Sequence, residues 1–254
     1  MIHPALDSAL AKIKRAKVHS DELWSVMRQW CTDDTHSAAL EHDPATGAIK
    51  CSPNGPPIPD AIPLLFGDAV HNLRAAMDHA TFALVDQSAN PLRVKFPYHK
   101  TRENVVAAFK DTKDPVSTMS DEAKRVILDE IRPYRDAENG DPQGNSPFWV
   151  VNKLDVIDKH RALIVTEGIA DIAFLSIETP TCMAYNNIQN FKVGNNGEIL
   201  FGGMIQGPIL HADYRVAVDV FINEPELVPY QPIAPLVMQL GEAVERALKL
   251  IREI

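Results

Sequence analysis

Residues 67–82, GDAVHNLRAAMDHATF, follow a helical period but contain neither lysine nor glutamate, the residues that usually fill the wet face of a surface helix. Neither type occurs anywhere between residues 51 and 94. At about 100° per residue, the apolar positions form one stripe, made of Phe66, Val70, Leu73, Met77, Ala80 and Leu84. Short polar side chains held away from water need hydrogen-bond partners or a bound ligand. We therefore predict a long helix over residues 61–87 that is mostly buried and lines a pocket.

The polar residues of this helix fall on two flanks of the apolar stripe. One flank holds His71, Arg74 and Asp78, and the other holds Asp68, Asn72 and His79. An ion pair between Arg74 and Asp78, four residues apart, would explain those two without any function. The histidines and Asn72 could likewise satisfy backbone carbonyls. As a group, however, these residues are typical of a catalytic or binding surface.

A second polar motif, NKLDVIDKHR, occupies residues 152–161. Asp155 and Lys159 are spaced for a solvated ion pair within a helix. His160 lies on the apolar side of this predicted helix, so we expect it to face the core or a cleft. It would join the first motif only where the two helices meet. Arg161 lies on the other side of the stripe.

The spacing of the histidines and cysteines argues against a metal site. His71 and His79 are eight residues apart and point to different flanks, and His71 with Asp78 lacks a third ligand. The three cysteines are widely separated and form no CxxC pair. We therefore predict neither a metal nor another cofactor.

Periodicity along the whole chain predicts an α+β fold, with a helical bundle followed by a small antiparallel sheet and a C-terminal helix. The predicted helices cover residues 4–30, 61–87, 102–110, 120–131, 148–165 and 235–254, and a loop with a short hairpin is expected between residues 32 and 59. The runs DIAFLSIETP, EILFGGMI and YRVAVDVFINE predict strands, with an Asn-Gly turn in VGNNGE between two of them. We assign residues 1–165 to the bundle that carries the site. Residues 166–254 form a β-rich segment and closing helix, which we expect to pack on the bundle as one unit.

The net charge of −9 argues against broad electrostatic binding to nucleic acid, although it leaves room for a small basic cleft. The N-terminal residues lack the apolar core of a signal peptide, and no apolar run is long enough to span a membrane. We therefore expect a cytoplasmic protein whose partners include neither a membrane nor DNA.

The pattern Arg74-x4-His79 within a long helix resembles the signature of the HEPN superfamily, the higher eukaryotes and prokaryotes nucleotide-binding domain. The fuller pattern GDxxHNLRxxxDH with the downstream IDKHR is also similar to a family of uncharacterised bacterial proteins. The HEPN resemblance implies a metal-independent RNA endonuclease in which His79 is the acid/base and Arg74 the phosphate clamp. Because residues five apart on a helix diverge by about 140°, it also implies a homodimer that pairs two such helices.

Our leading hypothesis is accordingly a HEPN-like ribonuclease or nucleotide-binding protein that uses Arg74 and His79. The residues expected to bind substrate beside them are Asp68, His71, Asn72, Asp78, His160 and Arg161. Two alternatives stay open. One is a non-catalytic helical protein that binds a small ligand or is purely structural, and the other is a small-molecule hydrolase that uses His71, Asp78 and His160.

Overall fold

In the computed structural model the chain has an α+β fold, which confirms the predicted class. The structure describes residues 3–43, 48–135, 146–178, 192–193, 199–201, 211–225 and 227–254. Six α-helices occur among these residues: α1 (Pro4–Cys31), α2 (Ala61–Phe82), α3 (Arg102–Lys110), α4 (Asp121–Arg125), α5 (Ser146–Asp158) and α6 (Ile233–Arg252). Helix α4 continues into a π-helical turn, Val126–Ile131.

The strands form two antiparallel sheets. They are β1 (Ser37–Asp43), β2 (Ala48–Asn54), β3 (Val165–Glu178), β4 (Lys192–Val193), β5 (Ile199–Phe201), β6 (His211–Glu224) and β7 (Val228–Pro232). One sheet has the order β1-β2-β5-β4 and the other the order β3-β6-β7. The β1–β2 pair is the hairpin expected between residues 32 and 59, and its turn lies outside the described residues. The predicted Asn-Gly turn at 193–198 falls almost wholly outside them as well.

Two predicted helix ends are wrong. Helix α2 ends at Phe82 rather than at residue 87, because the amides of Ala83 and Leu84 bond three residues back, to Ala80 and Thr81, and tighten the chain into turns. The helix predicted over 148–165 stops at Asp158. The next residues, 159–164, form turns and a loop, and strand β3 begins at Val165, which pairs with Ile222 of β6.

Contacts divide the chain into two compact units that are each discontinuous in sequence. The first comprises Met1–Glu22, Leu64–Leu163 and Ala234–Ile254, and the second comprises Leu23–Pro63 and Ile164–Ile233. This division differs from the consecutive segments 1–165 and 166–254. Residues 23–63 join the strands because β2 pairs with β5, and helix α6 belongs almost entirely to the first unit.

The first unit is a helical bundle whose core is supplied by the predicted apolar stripes. Only Ala61, Leu64, Asp68 and His71 of the α2 residues are exposed, so this helix is mostly buried as predicted. The closing helix α6 buries the stripe expected of it: Leu236, Leu240, Val244, Leu248 and Ile251. None of the helices among the described residues has the length and apolarity needed to cross a membrane.

Candidate functional site

Helix α2 presents its two polar flanks to different parts of the first unit. Side chains of the flank with His71, Arg74 and Asp78 contact α5 and the segment that follows Lys95. Side chains of the flank with Asn72 and His79 contact the first turns of α1. The grouping predicted from the helical wheel therefore corresponds to two distinct sets of partners.

Arg74 is largely buried and contacts an amide, a carboxylate and an aromatic ring. Its Nε donates to Asn152 Oδ1 at 3.1 Å, and Nη1 pairs with the Asp78 carboxylate. The guanidinium carbon lies 4.7 Å from the centre of the Tyr98 ring. Asp78 Oδ1 also accepts the Phe96 backbone N–H at 2.8 Å. Because the Arg74 side chain is only 11% exposed and is neutralised by Asp78, it does not present a free cation to solvent.

His79 lies on the opposite flank, where its Nδ1 is 2.8 Å from Ser8 Oγ of α1. Either the hydroxyl donates to the ring or the ring N–H donates to the hydroxyl, according to the tautomer. Burial lowers the pKa of His79, and the nearby Lys12 lowers it further, while Asp78 opposes both. The imidazole is therefore neutral near pH 7.

A cavity of about 750 Å³ opens beside His79. Its walls come from the start of α1, the end of α2 and the segment after α2. The lining residues are His3, Pro4, Ala5, Ser8, Asp78, His79, Phe82, Gln87, Pro91, Leu92, Val94 and Lys95. The cavity thus combines apolar walls with two imidazoles, a hydroxyl, the Asp78 carboxylate and the exposed Lys95. Arg74 is not part of this lining.

Asn72 is buried, and its side chain forms hydrogen bonds within α2 and to α1. Its Nδ2 donates to the Asp68 carbonyl at 2.8 Å, and its Oδ1 accepts from Lys12 Nζ at 3.5 Å. Lys12 is in this way held close to both Asn72 and His79.

His71 forms a second centre with Asp155 of α5. Its Nδ1 is 2.8 Å from Asp155 Oδ1, and Lys159 Nζ bonds the other carboxylate oxygen at 2.7 Å. The predicted Asp155–Lys159 pair is present, but the expectation that it is solvated is wrong for Asp155, which is only 3% exposed. The His71 side chain is 47% exposed. A buried carboxylate therefore orients a histidine that is open to solvent.

Asp68 and Asp158 lie near this second centre. Gly67 makes room for Asp158, since a Cβ at that position would collide with its carboxylate. Burial raises the pKa of Asp158, the carboxylates of Asp68 and Asp155 raise it further, and His71 and Lys159 act against this. Asp68 also faces His19 of α1, with Asp68 Oδ2 4.0 Å from His19 Nδ1.

Among the described residues, the side chain of His160 forms no hydrogen bond or ion pair with helix α2. The expectation that His160 faces the core or a cleft is wrong: α5 ends at Asp158, so the helical wheel does not extend to it, and its side chain is exposed. Arg161 is exposed too, and its Nη1 donates to the Ala162 carbonyl at 3.0 Å.

Several polar residues of the site escaped the sequence analysis. They are Ser8, Lys12, His19 and Glu22 of α1, Asn152 of α5, and Tyr98. In the sequence, the four α1 residues are marked only by their i,i+3 and i,i+4 spacing, which most surface helices share.

The chain matches no family model, and no curated protein or solved structure is significantly similar to it. In the part of the chain that the structure describes, no group of three or more His, Cys, Asp or Glu side chains could hold a metal ion.

Proposed function

We propose that this protein acts on RNA or a nucleotide at the cavity beside α2, with His79 as the general acid/base. The observation that carries the proposal is the position of His79, which lines the cavity while Ser8 Oγ holds its Nδ1 at 2.8 Å. Fixing one ring nitrogen leaves Nε2 for a substrate proton, as general acid–base catalysis requires. The R-x4-H resemblance supplies the substrate class.

The protonation state of His79 supports the proposal. Cleavage of RNA through its own 2′-OH needs a base that is unprotonated near neutral pH. Burial and Lys12 lower the pKa of His79, which keeps its ring neutral there. Lys95 in the cavity wall and Lys12 beside His79 are the cations available for a phosphate.

Arg74 takes a different part from the phosphate clamp that the resemblance implies. Its ion pair with Asp78 neutralises a carboxylate that lines the cavity and would otherwise repel an anionic substrate. We therefore assign Arg74 as a positioning residue and His79 as the catalytic residue. We also propose that the protein is a homodimer, as the resemblance implies. A measurement of its molecular mass in solution, made beside the assay, tests this.

The test is cleavage of single-stranded RNA in the presence of EDTA by the wild type and by His79→Ala. We expect the variant to lose a factor of roughly 10² to 10⁴ in rate with its melting temperature nearly unchanged. His160→Ala is the matched control, because His160 is exposed and its side chain has no hydrogen-bond or ion-pair partner among the described residues. Absence of cleavage and of nucleotide binding by the wild type would refute the proposal.

His71 favours a second candidate function, a hydrolase that acts on a small molecule. Its ring is 47% exposed, and the buried Asp155 carboxylate holds its Nδ1, an arrangement that serves a general base. Of the residues in that alternative, His71 alone is retained, since Asp78 pairs with Arg74 and His160 lies apart. An activity lost in His71→Ala and kept in His79→Ala would favour this candidate over the first.

A further inference from the structure

Three carboxylates from three helices lie on the first unit without a lysine or arginine partner among the described residues. They are Glu22 of α1, Asp68 of α2 and Asp158 of α5, which we call the carboxylate cluster. Lys159, one residue after Asp158, bonds Asp155 instead. Glu22 and Asp68 both face His19, and the Asp158 carboxylate lies against Gly67, next to Asp68. Like charges gathered this way repel one another unless a cation joins them.

His19 is the observation that points to a ligand in the cluster. Its side chain is 8% exposed, and its Nδ1 has no hydrogen-bond partner in the described part of the chain. That nitrogen is 3.9 Å from Glu22 Oε2 and 4.0 Å from Asp68 Oδ2. Both distances exceed a hydrogen bond. A buried ring nitrogen is therefore aimed between two carboxylates and bonded to neither.

The spacing of these three atoms favours an ammonium group over a metal ion. Neighbouring ligands of one Zn²⁺ or Mg²⁺ ion lie roughly 3–3.5 Å apart, because each metal–ligand bond is about 2.1 Å long. Two acceptors of one ammonium lie roughly 4–5 Å apart, because each contact spans about 2.8 Å. The observed 3.9 and 4.0 Å are too wide for the first and near the second. No metal-binding group of three such side chains occurs among the described residues either.

We infer that Glu22 and Asp68 of the carboxylate cluster, with His19 Nδ1 as a third acceptor, bind a primary ammonium group, and that Asp158 adds negative charge beside Asp68. Such a group has three N–H donors and one positive charge, which match one ring-nitrogen acceptor and two carboxylates. A bound water could satisfy His19 but would not offset the mutual repulsion of the carboxylates. The chemistry is shared by polyamines and by the lysine side chain of a partner.

The experiment titrates the full-length protein with 1,4-diaminobutane at constant ionic strength, by calorimetry and by ¹⁵N chemical shifts. We expect saturable binding, with the largest shifts at the amides around residues 19 and 68. Asp68→Asn and Glu22→Gln remove exposed carboxylates, so both variants should fold, and each should weaken binding roughly tenfold. Glu242→Gln, which removes one exposed charge from α6 outside the cluster, should change it by less than about twofold.

The same titration with N-acetyl-lysine amide identifies the source of the group, since tighter binding of this probe favours a lysine side chain and tighter binding of the diamine favours a polyamine. Three results would overturn the inference. The first is a KCl titration that reproduces the chemical-shift changes seen with the diamine. The second is equal affinity of Asp68→Asn and wild type for the diamine. The third is saturable binding of Zn²⁺ or Mg²⁺ that displaces the diamine. None of these measurements depends on RNA cleavage, so the inference and the proposed function can fail separately.

Discussion

At the scale of single residues, the burial of His79 makes the free energy of unfolding depend on pH. Burial lowers its pKa below the value of about 6.5 that it has in an unfolded chain. As the pH falls through that value, the unfolded state takes up a proton before the folded state does, so the free energy of unfolding decreases. The stabilisation is thus present above pH 6.5 and is lost below it.

The measurement is the free energy of unfolding between pH 7.5 and 5 for the wild type and for His79→Gln. We expect a shallower pH dependence in the variant, with a residual slope from His99, whose pKa burial also lowers. An identical slope in His79→Gln and wild type would show that His79 titrates alike in both states.

Arg74 carries a second prediction at the residue scale. Replacing it with alanine removes the bond to Asn152, the contact with the Tyr98 ring and the ion-pair partner of the partly buried Asp78. Breaking such a pair typically costs about 3–5 kcal/mol. Lysine keeps the charge but lacks the planar fork, so Arg74→Lys should fall between alanine and wild type.

Urea denaturation of these variants tests the prediction. Arg125→Ala is the control, because Arg125 pairs with Glu122 and Glu130 at an exposed position, where such pairs contribute about 0–1 kcal/mol. Equal losses in Arg74→Ala and Arg125→Ala would mean that the cluster around Arg74 is solvated.

At the scale of elements, Gly168 in β3 leaves space for two stacked aromatic rings because it has no side chain. The rings of Phe221 and Tyr230 stack at 4.3 Å with an interplanar angle of 6°. A Cβ on Gly168 would collide with the Tyr230 hydroxyl and lie 2.7 Å from two carbons of Phe221. Because Phe221 is buried and Tyr230 is stacked against it, the two rings have little room to move, and we expect Gly168→Ala to cost more than about 2 kcal/mol.

Gly241→Ala in α6 is the matched control for this strand glycine. A Cβ there meets nothing within 4 Å. Alanine in a helix interior is more stable than glycine by roughly 0.5–1 kcal/mol, so this variant should melt above the wild type. A Gly168→Ala protein as stable as the wild type would show that the two rings are free to separate.

The α2 helix could be predicted in detail because its own sequence determines its periodicity. The wheel placed Arg74 with Asp78 and His79 on the other flank, and the contacts follow that division. It could not identify Ser8, Asn152 or Tyr98 as partners, since these depend on how α1, α5 and the segment after α2 pack around α2.

The end of α5 was predicted wrongly for a related reason. Residues 159–164 fit the helical stripe, but they form turns and a loop, because the chain has to enter the strand that begins at Val165 and pairs with β6. Local periodicity carries no information on that long-range pairing, and the expectation for His160 failed with it. Strand β7 was not predicted either. It follows β6 in the sequence after a short turn, and α6 begins at the residue after its end.

At the scale of the whole molecule, the net charge of −9 opposes the approach of any polyanion. The cations at the cavity, Lys12 and Lys95, act only at short range, within a Debye length of about 10 Å at 0.1 M salt. A long RNA experiences the overall negative field, whereas a dinucleotide inside the cavity experiences mainly the local one.

If the proposed function holds, raising KCl from 20 to 150 mM should therefore increase kcat/KM for an oligonucleotide of twenty residues and change it little for a dinucleotide. Proteins that bind nucleic acid through a basic surface behave in the opposite way, because salt weakens their phosphate contacts. Glu242→Lys adds two units of positive charge at a position that does not line the cavity, and it should reduce the gain in kcat/KM with salt. A steep decrease of kcat/KM with salt for the long substrate would instead place RNA on a basic surface outside this cavity, and the assignment of His79 would then have to be abandoned.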